Sequence, residues 1–246
     1  MIVKEYIISE NIKLKCTFTK KIIFIAPLLT GVMATLFGGP LNMQNMVFYW
    51  WYSFFLPGVI AISASLMDKN EKKAGNYNGI YLLPINLKKA WVGKNVVLGV
   101  YLLLTQIIVF FIVLLPKLLG INGIVFSTEE ILLGCLIIWI GSLPQLPILL
   151  YLAKRFGFAA IVFVNCILGL FLPVICAERS FWFLIPHCYT GRLVKEIIGL
   201  DINGLYTQPN IQNCMPTLCK GLLAIVIFTV IGLYITAKLF ERQEVN

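Results

Sequence analysis

This sequence is short of the residues that do chemistry. It holds one histidine, His187, which rules out any metal motif built on paired imidazoles. It has no G-x-x-x-x-G-K-[ST] segment, the loop that cradles nucleotide phosphates in P-loop ATPases. Glu129-Glu130 stands at the mouth of an apolar run without the arginine and histidine that a membrane protease would add. Acids at that place suit the positive end of a helix dipole. No catalytic residue and no metal site is therefore expected, and His187 reads as an interfacial side chain. Charge is scarce too, at 13% of residues, where soluble domains carry about 25%.

What is abundant is apolar surface. The chain is 59% hydrophobic, with a mean hydropathy of +0.89. A water-soluble fold could not cover this much, so the class is an integral membrane protein. Six runs approach the roughly 20 residues that a helix needs to cross about 30 Å of hydrocarbon. They are Ile22–Phe37, Val47–Met67, Val96–Leu115, Ile131–Ala153, Phe158–Ile175 and Gly221–Ala237. The first and last are short, and Lys20, Lys21 and Lys238 are expected to snorkel from their ends. The runs are continuous rather than alternating, which favours helices over barrel strands. Met1–Lys21 is too polar for a cleavable signal peptide.

Bases outnumber acids by 20 to 11, for a formal charge of +9. With both termini in the cytoplasm, fifteen bases and six acids fall inside and account for the whole excess. Outside, five bases meet five acids and cancel. This is the positive-inside pattern, and it explains the basicity without nucleic acid. The expected fold is thus all-α, with six transmembrane helices in one domain over residues 1–246.

Three flanking segments complete that domain. Residues 1–21 are expected to lie along the inner membrane surface, with Tyr6, Ile7, Leu14 and Phe18 toward lipid; a disordered basic tail is the alternative. Residues 68–95 form a cytoplasmic loop. Residues 176–216 form the longest outer loop. Within the outer loop Ser180–Pro186 is too apolar to be free and too short to span. Tyr189, Leu193, Ile197 and Leu200 share one helical face, so short re-entrant or interfacial helices are expected before the last span.

None of the six runs contains Asp, Glu, Lys, Arg or His. Ion-coupled transporters place such groups at mid-membrane, so their lack argues against secondary transport. The polar residues within the spans are Gln106, Gln145, Asn165, Ser53, Ser142 and Thr105. Helix–helix hydrogen bonding accounts for them at about 1 kcal/mol each. Gln145 lies between Pro144 and Pro147, where a kink is expected. The cysteines are Cys16, Cys135, Cys166, Cys176, Cys188, Cys214 and Cys219. An outer disulfide is allowed, but spacing gives no connectivity and free apolar thiols are expected.

The cytoplasmic loop is the one long charged segment between two apolar runs. It reads as either a rigid, exposed helix that meets a partner or a solvated loop that carries inside charge. Its order is Glu71, Gly75, Leu83-Pro84-Ile85, Lys88-Lys89, Trp91 and Gly93-Lys94. That order resembles the first cytoplasmic loop of type-2 ABC exporter permeases, and within them the lantibiotic-immunity permeases of the MutE/EpiE type. Ile12-Lys13-Leu14-Lys15 resembles the leading segment of that family. Ile185-Pro186, Arg192-Leu193, Ile198-Gly199-Leu200 and Asn203-Gly204 resemble its region before the last span; Asp201 and His187-Cys188 depart from it.

The resemblance implies a permease that works with a dimer of ABC ATPases and a second permease, similar or identical. ATP and magnesium would be bound by the ATPase, with no cofactor in this chain. The substrate would be a lantibiotic peptide expelled from the cell membrane of a Gram-positive bacterium. Asp68, Glu71, Lys72, Gly75 and Tyr77 would contact the ATPase, Glu71 foremost. Pro84, Lys88, Lys89 and Lys94 would anchor the loop at membrane lipid. Trp182 and Phe183 would contact the peptide; Gln145, at its proline kink rather than by resemblance, is a further substrate-path candidate. Export of another drug, lipid or ion, and sequestration without ATP, are the alternatives.

Overall fold

In hydrocarbon, backbone polar groups find partners only within a helix or a closed barrel. The apolar runs of this chain take the first route. A computed structural model describes residues 3–15, 17–75, 77, 81, 85–121, 126–207 and 211–242. Among these, helices carry the fold, and the one strand-like contact is an isolated bridge between Leu200 and Tyr206.

Helix α1 (Val3–Leu14) precedes the first span, α2 (Phe18–Gly38). Helix α3 (Met43–Trp50) runs through a π-helical turn, Trp51–Phe55, into α4 (Leu56–Lys73). The third span is α5 (Leu87–Leu118). The fourth is broken into α6 (Thr128–Ser142) and α7 (Gln145–Phe156), bent by 46°. The fifth is α8 (Phe158–Cys176) and the last is α10 (Ile211–Glu241). Between them lies α9 (Pro186–Ile198). Five helices are long and apolar enough to cross a membrane, and the bent pair brings the crossings to six when it counts as one span.

The end spans are longer than expected. The first has 21 residues and the last 31, so neither falls short of the roughly 20 required. Lys20, Lys21 and Lys238 sit inside the helices rather than reaching out from their ends.

Helix α1 also departs from the expectation. Tyr6 and Leu14 are buried against protein, while Ile8 and Ile12 face outward. The cause is a close approach to α5. A Cβ at Gly93 would lie 3.2 Å from the Tyr6 Cβ, so glycine there lets α1 lie flat against α5 and turns Tyr6 inward.

The π turn was not foreseen. Pro57 has no N–H, which deprives the preceding turn of a donor. In a membrane a carbonyl without its helical donor needs another partner, and α8 packs its polar side chains against this stretch. Asn165 Nδ2 donates to the Pro57 carbonyl at 2.8 Å, and Cys166 Sγ approaches the Phe54 carbonyl. The contact needs Gly169, since a Cβ there would stand 2.5 Å from the Ser53 carbonyl oxygen.

Helix α9 is the expected re-entrant element. Its first turn is deep, where His187 Nε2 meets Asn165 Oδ1 of α8 at 2.9 Å. It then runs antiparallel to α6, with Thr190 against Gly141 and Ile198 against Gly134. Tyr189, Leu193, Ile198 and Leu200 are fully buried, and Ile197 is half-buried. The six described cysteines are free; Cys16 lies outside the described residues.

Candidate functional site at the cytoplasmic face

Two acids and two bases from three elements meet at the inner ends of the spans. Lys94 of α5 donates to Glu10 Oε2 of α1 at 3.0 Å and to Glu71 of α4. Lys13 of α1 donates to Glu10 at 2.7 Å and to Glu71 at 2.9 Å. The Lys94, Glu10 and Glu71 side chains are 4%, 5% and 8% exposed, so this is a buried ion cluster of zero net charge. Burial alone would lower the Lys13 pKa, but the Glu10 and Glu71 carboxylates outweigh it and hold that pKa above the usual value. The cluster borders a cavity of about 220 Å³. The cavity gives Asn70 Nδ2, which has no protein partner, room for a bridging water.

The local sequence explains the meeting. Glu10 and Lys13 are three residues apart and share a face of α1. Glu71 ends the cytoplasmic extension of α4, and Lys94 lies two turns into α5. The Gly93 contact brings the two helices close enough for the pairs to form.

These positions correct two sequence expectations. Asp68–Tyr77 is not uniformly exposed: Asp68, Glu71 and Tyr77 are buried, while Lys69, Lys72, Lys73, Ala74 and Gly75 are exposed. Lys94 does not reach the headgroups, because it is enclosed with Glu71. The physical reason is pairing. A charge can leave water when an opposite charge satisfies it, and residues distant in sequence provide that charge here.

A second network lies beside the first. The Tyr77 hydroxyl donates to Asp68 Oδ1 at 2.6 Å, and Lys72 pairs with Asp68 Oδ2 at 2.8 Å. Tyr77 has a φ of +69°, a left-handed conformation that costs a non-glycine residue roughly 1–2 kcal/mol. Lys154, in the last turn of α7, holds it there. The Lys154 ammonium lies 4.1 Å from the Tyr77 ring centre and donates to the Tyr81 hydroxyl at 2.7 Å. Phe240 of α10 packs on both tyrosines and stacks on Trp91 of α5 at 4.7 Å. Three spans and the loop thus share one aromatic cage around Lys154, a residue the sequence reading did not single out. Four aromatics and a lysine spread between positions 77 and 240 leave no local signal.

Of the anchoring residues, Lys88 is exposed and pairs with Glu241 at 2.9 Å, and Lys89 is exposed. Pro84 lies outside the described residues, as do Leu82, Leu83 and Asn76.

The substrate-path residues divide. Trp182 is 6% exposed, with its ring at 3.0 Å from where a Gly221 Cβ would stand and edge-on to Tyr189. It therefore packs the bundle. Phe183 is half-buried, with Lys220 Nζ 3.9 Å from its ring centre. Gln145 is buried, and its Oε1 has no hydrogen-bond partner. It lines a cavity of about 170 Å³ with Asn165 and His187, just past the break between α6 and α7. The other polar residues of the spans have partners, except that Gln106 Nε2 is buried without one. Gln106 accepts from Trp51 across helices at 3.1 Å, and Ser53, Ser142 and Thr105 bond their own helices.

A family model for the ABC-2 family transporter protein matches residues 6–172, which takes in both cytoplasmic networks except Phe240. The chain belongs to the ABC-2 transporter family. No curated protein and no solved structure matches it. As an ABC-2 protein it is a multi-pass permease subunit of an ABC exporter and is not itself the catalyst; the family implies a separate ABC ATPase. Both networks lie at the end of the bundle that the positive-inside pattern assigns to the cytoplasm.

Proposed function

We propose that this ABC-2 permease expels lantibiotic-type peptides from the cytoplasmic membrane of a Gram-positive bacterium. It would be driven by a dimer of ABC ATPases that binds ATP and magnesium, and would pair with a similar or identical permease. One observation carries the coupling part of this reading. The buried ion cluster ties the loop end of α4 to α1 and α5, so a push on the exposed rim would move three elements together. Lys69, Lys72, Lys73 and Gly75 form that rim and would touch the ATPase. Glu71 would hold the rim in register rather than dock directly.

The peptide assignment rests on the resemblance of the loop and of the outer segment to lantibiotic-immunity permeases. The outer charges support apolar recognition, because they neutralise each other. Glu178 pairs with Arg192 and Lys195, Lys195 also with Asp201, and Arg192 also with Glu196. An outer face so paired is a weak electrostatic trap for cationic peptides. Gln145, with an unpaired acceptor beside a cavity, remains on the proposed substrate path. Trp182 would be reached only if α9 moves.

The test is peptide sensitivity in a susceptible Gram-positive host that carries this permease, its partner permease and the ATPase. Protection limited to lanthionine peptides, and lost in Lys73→Glu at matched membrane levels, is expected. Protection against unrelated drugs would favour a general exporter. Protection that persists without the ATPase would overturn coupling and leave sequestration.

A further inference from the structure

A further cavity lies apart from both networks. It is a groove of about 620 Å³ between α1, α2 and α5. Its walls are apolar, with Ile8, Phe24 and Leu104 among them. Along α5 it extends from Val97 to Ile108, about 16 Å at 1.5 Å per residue. One leaflet of hydrocarbon is about 15 Å deep, half of the roughly 30 Å core. The groove thus begins at the inner surface and stops near the bilayer centre.

Its inner end is polar in one sense only. Lys20 lines it, half-buried, and makes no ion pair among the described residues. That sets Lys20 apart from Lys13 and Lys94, whose charges are both met by carboxylates. Asn11 stands beside it. The Tyr101 hydroxyl donates to Asn11 Oδ1 at 2.8 Å, which uses the acceptor and leaves the two Nδ2 hydrogens to give. Lys4 is exposed one turn before Ile8 on the same face of α1. The mouth therefore offers donors and positive charge above an apolar channel one leaflet deep.

We propose that this groove is a binding site for one anionic phospholipid of the inner leaflet. An acyl chain would lie along α5, and the phosphate would sit between Lys20 and Asn11. A basic pocket between spans on the cytoplasmic side suits such a headgroup. The bound lipid would wedge α1 against α2 and α5, the helix that also carries Lys94.

Full-length protein in nanodiscs of equal phosphatidylglycerol and phosphatidylcholine provides the test. Lipids kept after gentle detergent release are counted by native mass spectrometry. The wild type should keep phosphatidylglycerol in preference. Lys20→Gln should cut that preference about fivefold, the weight of about 1 kcal/mol for one lysine at an anionic surface. Leu104→Trp fills the groove and should remove the retained lipid; Val100→Phe serves if that variant does not accumulate. Equal retention of the two lipids overturns the proposal, as does a preference that survives Lys20→Gln or a lipid count that survives groove filling. A wild type that emerges as a lipid-free dimer, split by Leu104→Trp, also overturns it and assigns the groove to a second copy.

Discussion

Lys94 and Glu71 meet 23 positions apart, on two different spans, with their side chains 4% and 8% exposed. Neither is buried by its own helix. Each is the reason that the other can leave water, and Glu10 and Lys13 complete the neutral set.

The cluster predicts an asymmetry between single and paired changes. Lys94→Met should destabilise the permease by about 3 kcal/mol, the low end for breaking a buried pair, because it leaves two buried carboxylates to share the partly exposed Lys13. Lys94→Met with Glu71→Gln should recover part of the loss. Thermal unfolding in detergent compares the three proteins, and a Lys94→Met protein as stable as wild type would refute the buried cluster.

Lys154 predicts a mechanical effect. Lys154→Met keeps the side-chain length but removes the ammonium from the Tyr77 and Tyr81 rings. The strained Tyr77 turn should then relax. Faster amide hydrogen exchange over residues 68–81, with α5 and α8 unchanged, is the expected result. An unchanged rate in the loop would show that the cage does not hold it.

The outer ion pairs predict acid sensitivity on one face. Burial would raise the Glu178 and Asp201 pKa values, but the neighbouring Lys195 and Arg192 hold both below their ordinary 4.5 and 3.8. Below-ordinary native values mean that the unfolded chain binds protons first as pH falls. The contribution is therefore present above about pH 4.5 and is lost as pH drops through the native values. Proteolysis of the 177–207 segment should quicken in acid below that point. Glu178→Gln should show the faster cleavage already at neutral pH.

The thiols predict a labelling pattern. Cys219 is exposed, whereas Cys135 and Cys188 are buried and burial raises the Cys188 thiol pKa toward 12. A membrane-impermeant maleimide applied outside intact cells should label Cys219 within minutes and leave Cys188 for the denatured protein. Absence of Cys219 labelling, with labelling only after lysis, would invert the orientation.

The sequence alone determined the class and the apolar crossings, and it predicts their direction. Crossing length is set by bilayer thickness and orientation by the lysine count at each end, and both are local or additive quantities. The break between α6 and α7 was legible for the same reason, since Pro144 and Pro147 act on their own turns. The apolar stripe of α9, Tyr189 to Leu200, was equally readable.

The tertiary structure alone decided where the charges went. An acid in a polar loop reads as exposed until its partner is known, and the partners of Glu71 lie on α1 and α5. Tyr6 and Trp182 read as lipid- or peptide-facing until Gly93 and Gly221 proved to receive them. The π turn fits against α8 only because Gly169 leaves room for the Ser53 carbonyl. Pairing and close approach depend on which distant residues meet, and no window of sequence contains that.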